Sequence, residues 1–156
     1  TIKESGLMDK ISQGSYQLID RFSASSPEES RELYAKSVLS DYYLMSSNAI
    51  TLGGELVNID GSGNRVACLI HGPKNVIILA GMNKIVTDVG TGIERVRNFA
   101  APPNAHRLNR QTPCLANGSC GACLSPDCMC NHIVITRRSG IQGRIKVYFI
   151  AEELGY

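Results

Sequence analysis

The chain has 156 residues, of which 43% are hydrophobic and 19% charged, as is typical of one globular domain with its own core. Its net charge of +2 is too small to indicate a nucleic acid or an anionic membrane surface as partner. No apolar run reaches the ~18 residues of a transmembrane helix and no secretory signal is visible, so we expect a cytoplasmic protein without a membrane span. Because the chain begins at Thr1 and not at a methionine, we expect residues 1–156 to be a one-domain fragment of a longer protein.

The N-terminal part of the chain predicts two helices and a strand. Residues 1–13 place four apolar side chains on one helical face. Tyr16–Asp20 reads as a short strand. Ser25–Glu29 begins the second helix, with a serine N-cap, a proline at the first position and acids in the first turn. This helix should run to about Ser40, and we expect it to bury Leu33, Tyr34, Val38 and Leu39.

The middle of the chain alternates strands and helices. Asp41–Met45 is a predicted strand, and Ala49–Asp60 forms two short extended pieces around a Gly-Gly pair. Arg65–His71 is apolar and is either a short helix or a buried strand. Every residue of Val76–Ala80 is apolar, which is typical of a strand buried on both faces. Asp88–Ala100 is a predicted helix that points Val89, Ile93, Val96 and Phe99 inward and is stopped by Ala101-Pro102-Pro103.

Two further strands, Ile133–Thr136 and Arg144–Ile150, follow a cysteine-rich loop at residues 112–131. Strands that alternate with helices predict an α/β fold with a mostly parallel sheet. We expect Val76–Ala80 to be an interior strand, with Tyr42–Met45 parallel beside it.

Polar residues follow two of the predicted strands, at Ser46–Asn48 and at Gly81–Lys84, and the segment Glu55–Arg65, with a Gly-rich turn at residues 61–64, supplies further polar residues. Ligands of parallel sheets bind at the carboxyl ends of strands. We therefore expect a site for a small anionic metabolite, with Lys84 exposed. Its predicted residues are Asn48, Glu55, Asn58, Asp60, Asn64, Arg65, Asn83 and Lys84. The alternative is a set of turn-forming residues that binds nothing.

Five of the six cysteines lie in the loop 112–131, with the spacing C-x5-C-x2-C-x4-C-x-C. The pair Cys120-x2-Cys123 is typical of zinc and iron–sulfur ligation, and glycines and a proline give the loop the turns that convergence requires. Four thiolates would hold either a [4Fe-4S] cluster or Zn²⁺. Cys128 and Cys130 rarely reach the same metal, so the predicted ligands are Cys114, Cys120, Cys123 and Cys130. A disulfide cluster and a loop of free thiols are the alternatives.

Several motifs that run through nearly the whole chain resemble one protein family. They are Ser47–Thr51, Gly54–Ala67, Gly72–Lys74, Ala80–Val86, Arg97–Pro102, Thr112–Cys114, the CxxC, Ser125–Asp127 and Glu152–Tyr156. On these motifs the sequence resembles the LUD-domain family of lactate-utilisation proteins, and within it the C-subunit type.

The resemblance implies a Rossmann-like sheet flanked by helices, similar to the sugar-phosphate isomerase and CoA-transferase fold. Family members usually begin with a further strand and helix, so we expect this chain to lack that segment. The position of Cys128 is usually not a cysteine in the family, and a basic residue is common there, which favours Cys130 as the fourth ligand.

The resemblance further implies a redox-associated protein of the system that oxidises L-lactate to pyruvate, with iron–sulfur partner subunits. That redox setting favours the cluster over zinc. Two other functions stay open. One is an enzyme that acts on a small anionic or phosphorylated metabolite and carries a structural zinc; the other is a non-catalytic module that docks an iron–sulfur partner. A homo-oligomer also stays open.

Overall fold

Residues 1–156 are all described by the computed structural model of the chain, which has two small sheets surrounded by helices. The helices are α1 (Leu7–Ser12), α2 (Pro27–Val38), α3 (Asn64–Ile70), α4 (Val89–Arg95), α5 (Ala101–Arg107) and α6 (Pro113–Asn117). The strands are β1 (Tyr42–Met45), β2 (Ala49–Thr51), β3 (Leu56–Asp60), β4 (Asn75–Gly81), β5 (Ile85–Val86), β6 (His132–Thr136) and β7 (Ile145–Ile150). A 3-10 turn covers Met82–Lys84, and a π-helical turn, Val96–Ala100, joins α4 to α5.

The strand β4 lies at the centre of the first sheet, which has the order β1-β4-β7 and is parallel throughout. The side chains of Val76, Ile78 and Ala80 are fully buried. Ile77 and Leu79, on the opposite face of the strand, are half-buried, so only one face is fully covered, which differs from the predicted burial on both faces. The predictions that Val76–Ala80 is an interior strand and that Tyr42–Met45 pairs with it in parallel are confirmed.

The second sheet has the order β5-β2-β3-β6. Its strands β2 and β3 form an antiparallel hairpin, whose turn contains Gly54 at a φ of 91°, a conformation that favours glycine. The helix α4 lies directly on this sheet, because Gly92 has no side chain to hold it away from Val57: a Cβ there would lie 3.0 Å from the valine. Val57, Val96 and Ala100 share one apolar cluster.

The main core lies between the two sheets and α3. Ile50 and Leu56 of the second sheet pack in one cluster with Ile78 of the first sheet and with Leu69 of α3. Three of the five strand pairings are parallel. The predicted α/β class, with a mostly parallel arrangement flanked by helices, is confirmed. No helix has the length and apolar character needed to cross a bilayer.

Two predictions about the N-terminal part are wrong. Tyr16–Asp20 forms no strand, and its residues are exposed, because no sheet edge lies beside this segment to accept its backbone hydrogen bonds. The helix α2 begins as predicted, with the Ser26 hydroxyl accepting from the Glu29 N–H at 3.1 Å. However, Leu39 is 86% exposed, and Leu33, Tyr34 and Val38 are only half-buried. Ser37 is the one residue of the helix that is fully buried.

The prediction for the helix after β5 is wrong in two respects. Phe99 is 72% exposed and not inward. The wider π turn rotates the residues that follow Arg95 relative to a regular α-helix, so helical periodicity fails at Phe99. Pro102 and Pro103 do not end the helical segment either. They stand in the first turn of α5, where the missing N–H groups would have no intrahelical acceptor.

Candidate functional site

Arg65 is the centre of a buried polar cluster at the carboxyl end of β3. It lies at the start of α3, and its guanidinium group donates five hydrogen bonds of 2.7 to 3.2 Å. They end on side-chain oxygens of Asn48, Asn58 and Asp60 and on the carbonyl oxygens of Ser46 and Ile59. All five N–H groups of Arg65 are thereby used. Burial lowers the pKa of Arg65, and the charge of Asp60 opposes this shift.

The two asparagines of the cluster tie β3 to the segment after β1. The Asn48 side-chain oxygen accepts from the backbone N–H of Ile59 at 3.1 Å, and the Asn58 side-chain oxygen accepts from the N–H of Asn48 at 3.4 Å. Asn58 is completely buried, and its side-chain NH₂ group has no partner within the chain. A buried donor of this kind is usually satisfied by a water or by a ligand oxygen.

Lys84 is a second buried cation of the cluster. We expected it to be exposed, but it is only 4% exposed, because Thr1 and Gly155 cover the turn after β4. Its ammonium group donates to the hydroxyl groups of Ser46 at 3.0 Å and Thr1 at 2.9 Å. Burial lowers the pKa of Lys84 to about 8, and the nearby charge of Arg95 acts in the same direction.

Arg95 is a residue of the cluster that the sequence interpretation missed. It donates to the backbone carbonyls of Asn83 and Asn48, each at 2.8 Å. It forms none of the four ion pairs of the chain. Arg95 is the last residue of α4, and the sequence does not reveal that this end of the helix lies within hydrogen-bond distance of Asn48.

The other predicted residues divide into two groups. Asn83 lies beside the cluster, next to Lys84. Its side chain donates to the Gly155 carbonyl at 3.0 Å and accepts from the Leu154 N–H at 3.3 Å. Glu55 lies apart, at the β2–β3 hairpin, where it accepts from Thr51. Asn64 is also apart, because it bonds only to Ser62. Of the eight predicted residues, the structure brings six together, namely Asn48, Asn58, Asp60, Arg65, Asn83 and Lys84.

A cavity of about 540 Å³ lies beside this cluster. Arg95 and Asn83 reach it from the cluster, and Phe99 stands in its wall. The other lining residues are Val86, Thr91, Glu94, Asn98, Gly155 and Tyr156. Cavities of this size commonly hold small metabolites.

A smaller cavity, of about 120 Å³, lies in the cysteine-rich loop. All five clustered cysteines line it, together with Arg97, Ala101, Thr112, Gly121, Ala122, Leu124 and Met129. All six cysteines of the chain are free, and Cys68 lies apart, buried in α3. The alternative of a disulfide cluster is therefore not realised in this structure.

Hydrogen bonds orient several of the sulfur atoms. The Thr112 hydroxyl lies 3.2 Å from the Cys114 sulfur, and backbone N–H groups of Ala122 and Cys130 donate to the sulfurs of Cys120 and Cys128, each at 3.4 Å. Ala122 has a φ of 49°, in the left-handed region that side chains rarely adopt. Such strain is often found at binding loops.

The thiols of the cavity differ in acidity. Hydrogen bonds from Ser125 lower the pKa of Cys123, whereas burial and the neighbouring cysteines raise the pKa of Cys130 to about 12. The donor set suits soft metals, which thiolates bind. No three Cys, His, Asp or Glu side chains are close enough in this conformation to hold a metal ion, so a bound metal would require the loop to contract.

The fold and the two clusters define an α/β protein with a buried cationic cluster and a cysteine-lined cavity. A model of the LUD domain matches residues 1–150, and the chain belongs to the LUD-domain family. The resemblance found in the sequence is thereby confirmed. No curated protein and no solved structure matches the chain.

Proposed function

We propose that this LUD-domain protein is a redox-associated protein of lactate utilisation, belonging to the system that oxidises L-lactate to pyruvate, and that it carries a metal centre on four cysteines. The family supports the metabolic setting. The observation that carries the metal centre is that all five clustered cysteines, as free thiols, line one cavity. The proposed ligands are Cys114, Cys120, Cys123 and Cys130.

Cys130 is the preferred fourth ligand over Cys128. Its side chain is packed against the apolar cluster that includes Val96 and Ala100, so a metal bound there would be anchored to the core. Cys128 lies two residues away in the loop and would remain as a free thiol beside the centre.

The centre is either a [4Fe-4S] cluster or Zn²⁺. Four thiolates fit both, and the family's redox setting favours the cluster. When bound, a cluster would supply one-electron transfer and zinc would supply only structural order. The four cysteines would bind the centre, within a cavity wall that is mostly apolar.

Anaerobic purification followed by iron, zinc and sulfide analysis tests this proposal. A cluster gives a brown protein that absorbs near ~400 nm, and zinc gives a colourless one. Cys123→Ser should release the metal, and Cys128→Ser, a matched change in the same loop, should retain it. A native protein without metal would contradict the proposal, as would a full metal content in Cys123→Ser.

A second candidate is an enzyme that acts on a small anionic or phosphorylated metabolite and carries a structural zinc. It is favoured by Arg95, a half-buried cation that lines the cavity of about 540 Å³, and by Lys84, which is buried in the neighbouring cluster; neither side chain forms an ion pair. Its test is calorimetric binding of pyruvate and of inorganic phosphate at neutral pH. Lys84→Met should weaken binding about tenfold, whereas the exposed Lys36→Met should not change it. Equal binding to all three proteins would reject this candidate.

A further inference from the structure

The cysteine cavity has one permanently charged side chain in its wall, that of Arg97. The twelve lining residues otherwise consist of the five thiols and of neutral, mostly apolar groups. No carboxylate lines the cavity. Arg97 is therefore the one lining residue whose charge could compensate a negative charge on the thiols.

Arg97 has no acidic partner elsewhere. It forms none of the four ion pairs, and no hydrogen bond of its guanidinium group is present. Other arginines of this region are engaged: Arg107 donates to the side chain of Asn104 at 2.6 Å, and Arg110 pairs with Asp127 at 3.7 Å. A half-buried arginine with no partner retains its full ability to bind an anion.

The π turn explains how Arg97 reaches the cavity. Val96 and Ala100 of this turn face the core, and Arg97 and Ala101 line the cavity. On the same turn, the Asn98 side-chain oxygen accepts from the Cys120 N–H at 3.4 Å. Turns of this kind are rare and often lie at functional sites. The turn thus carries both a charge and a loop contact to the cysteines.

Four thiolates around Zn²⁺ or around an oxidised [4Fe-4S] cluster leave a double negative charge on the centre, by addition of the formal charges. An anion in a largely apolar cavity is unfavourable unless an opposite charge compensates it. We propose that Arg97 is the counter-charge of the cysteine centre, which strengthens metal binding and, for a cluster, raises the reduction potential. This inference rests on the proposed function.

The sign of the effect on the potential follows from charge. One-electron reduction of the cluster, for example by dithionite, adds one negative charge to the centre. A nearby cation stabilises the reduced form more than the oxidised form, so its removal should make the potential more negative.

Three variants test the proposal on the anaerobically purified protein. Arg97→Gln removes the charge, Arg97→Lys keeps it, and Arg31→Gln removes an equal charge from the exposed face of α2. In competition with a chelator, Arg97→Gln should lose the metal at about tenfold lower chelator concentration. Arg97→Lys and Arg31→Gln should behave like the wild type. If the metal is a cluster, a dithionite titration should give a more negative potential for Arg97→Gln alone.

Thermal unfolding of the metal-free proteins separates this role from a structural one. Because Arg97 has no partner within the chain, metal-free Arg97→Gln should unfold at the wild-type temperature. A lower temperature would identify Arg97 as a structural residue and overturn the inference. Equal metal retention by wild type and Arg97→Gln, or an equal loss in Arg31→Gln, would also overturn it. A wild-type protein that binds no metal would reject the proposed function itself, whereas a metal-loaded Arg97→Gln with unchanged properties rejects the counter-charge alone.

Discussion

The ammonium nitrogen of Lys84 lies 3.0 Å from the hydroxyl oxygen of Ser46, and the carbonyl oxygen of the same serine accepts from Arg65 at 3.1 Å. Ser46 therefore joins two buried cations by its side chain and by its backbone. Arg65 has Asp60 as a partner, but Lys84 has only hydroxyl groups. A buried ammonium that contacts no carboxylate is the less stable of the two, although the charge of Glu4 partly offsets its burial, and it should be the one that titrates.

The first prediction concerns the pH dependence of stability. The pKa of Lys84 falls from an ordinary value of 10.5 to about 8 on folding. Between these two values the unfolded chain holds a proton that the folded chain has lost, so the free energy of unfolding should rise with pH across this window. The expected gain is up to about 3 kcal/mol. Below pH 8 both states are charged, and the gain is absent.

Lys84→Met isolates this effect from that of other titrating groups. The difference in unfolding free energy between wild type and Lys84→Met, measured by chemical denaturation from pH 7 to 10.5, should increase in favour of the wild type. The corresponding difference for the exposed Lys36→Met should stay flat. If the difference for Lys84→Met is also independent of pH, the pKa of Lys84 is not lowered in the folded protein.

The second prediction concerns the hydrogen bonds of Arg65. Lysine keeps the charge but cannot reproduce five donors in a planar fork, so Arg65→Lys removes one of the two donors to each of the buried side-chain oxygens of Asn48 and Asn58. The expected loss in unfolding free energy is about 3 kcal/mol. Asn64→Ala, one residue earlier, removes only a bond to Ser62 and should cost less than about 0.5 kcal/mol. Similar losses for the two variants would contradict the central role of Arg65.

The fold could be predicted where the signal is local. The run Val76–Ala80 and the capped start of α2 at Ser26 each carry their structural signal within a few residues, and both were predicted correctly. Tyr16–Asp20 reads as a short strand, but strand formation needs a neighbouring sheet edge, which the sequence does not specify. Phe99 was misplaced because the π turn changes the helical period by one residue within an otherwise regular pattern.

From the sequence, the candidate site could be predicted only for those residues that lie in a strand or directly beside one. Asn48, Asn58 and Asp60 lie on neighbouring β-structure, so the position of one fixes the others. The burial of Lys84 depends on Thr1 and Gly155, which are remote in sequence. Arg95 and Arg97 depend on where α4 ends and how the π turn rotates, which only tertiary packing determines. The cysteine spacing predicted a shared metal site, which stays a prediction; the five clustered cysteines line one cavity, since they lie in one short loop.

The third prediction concerns the segment that covers Lys84. A Cβ atom at Gly81 would lie 2.6 Å from the Leu154 nitrogen and 2.7 Å from the Glu152 oxygen, both backbone atoms that cannot move aside cheaply. Gly81→Ala should therefore displace residues 152–156 and lower the unfolding free energy by about 2 kcal/mol. Gly140→Ala has nothing within 4 Å and should be neutral.

Displacement of the segment has a second consequence in Gly81→Ala. Solvent should reach Lys84, so its pKa should return toward the ordinary value and the rise of stability above pH 8 should shrink. Denaturation curves at pH 7 and 10 measure both effects. If Gly81→Ala destabilises the protein but leaves the rise above pH 8 unchanged, the C-terminal segment does not control the burial of Lys84.

The last prediction concerns order in the cysteine loop. Residues 118–131 contain no helix or strand, and their thiols are not gathered at one point in this conformation. Contraction around a metal would join parts of the loop that otherwise have few contacts, so metal binding should protect the loop from proteolysis. Limited proteolysis under anaerobic, reducing conditions, followed by mass spectrometry, should locate new cleavage sites in residues 118–131 after treatment with a chelator. Cleavage in the exposed residues 14–23 serves as an internal control and should be equal with and without metal.

Cys123→Ser should be cleaved like the chelated wild type, and Cys128→Ser like the metal-loaded protein. Protection that does not depend on metal would mean that packing against Arg97 and Ala101, and not ligation, holds the loop.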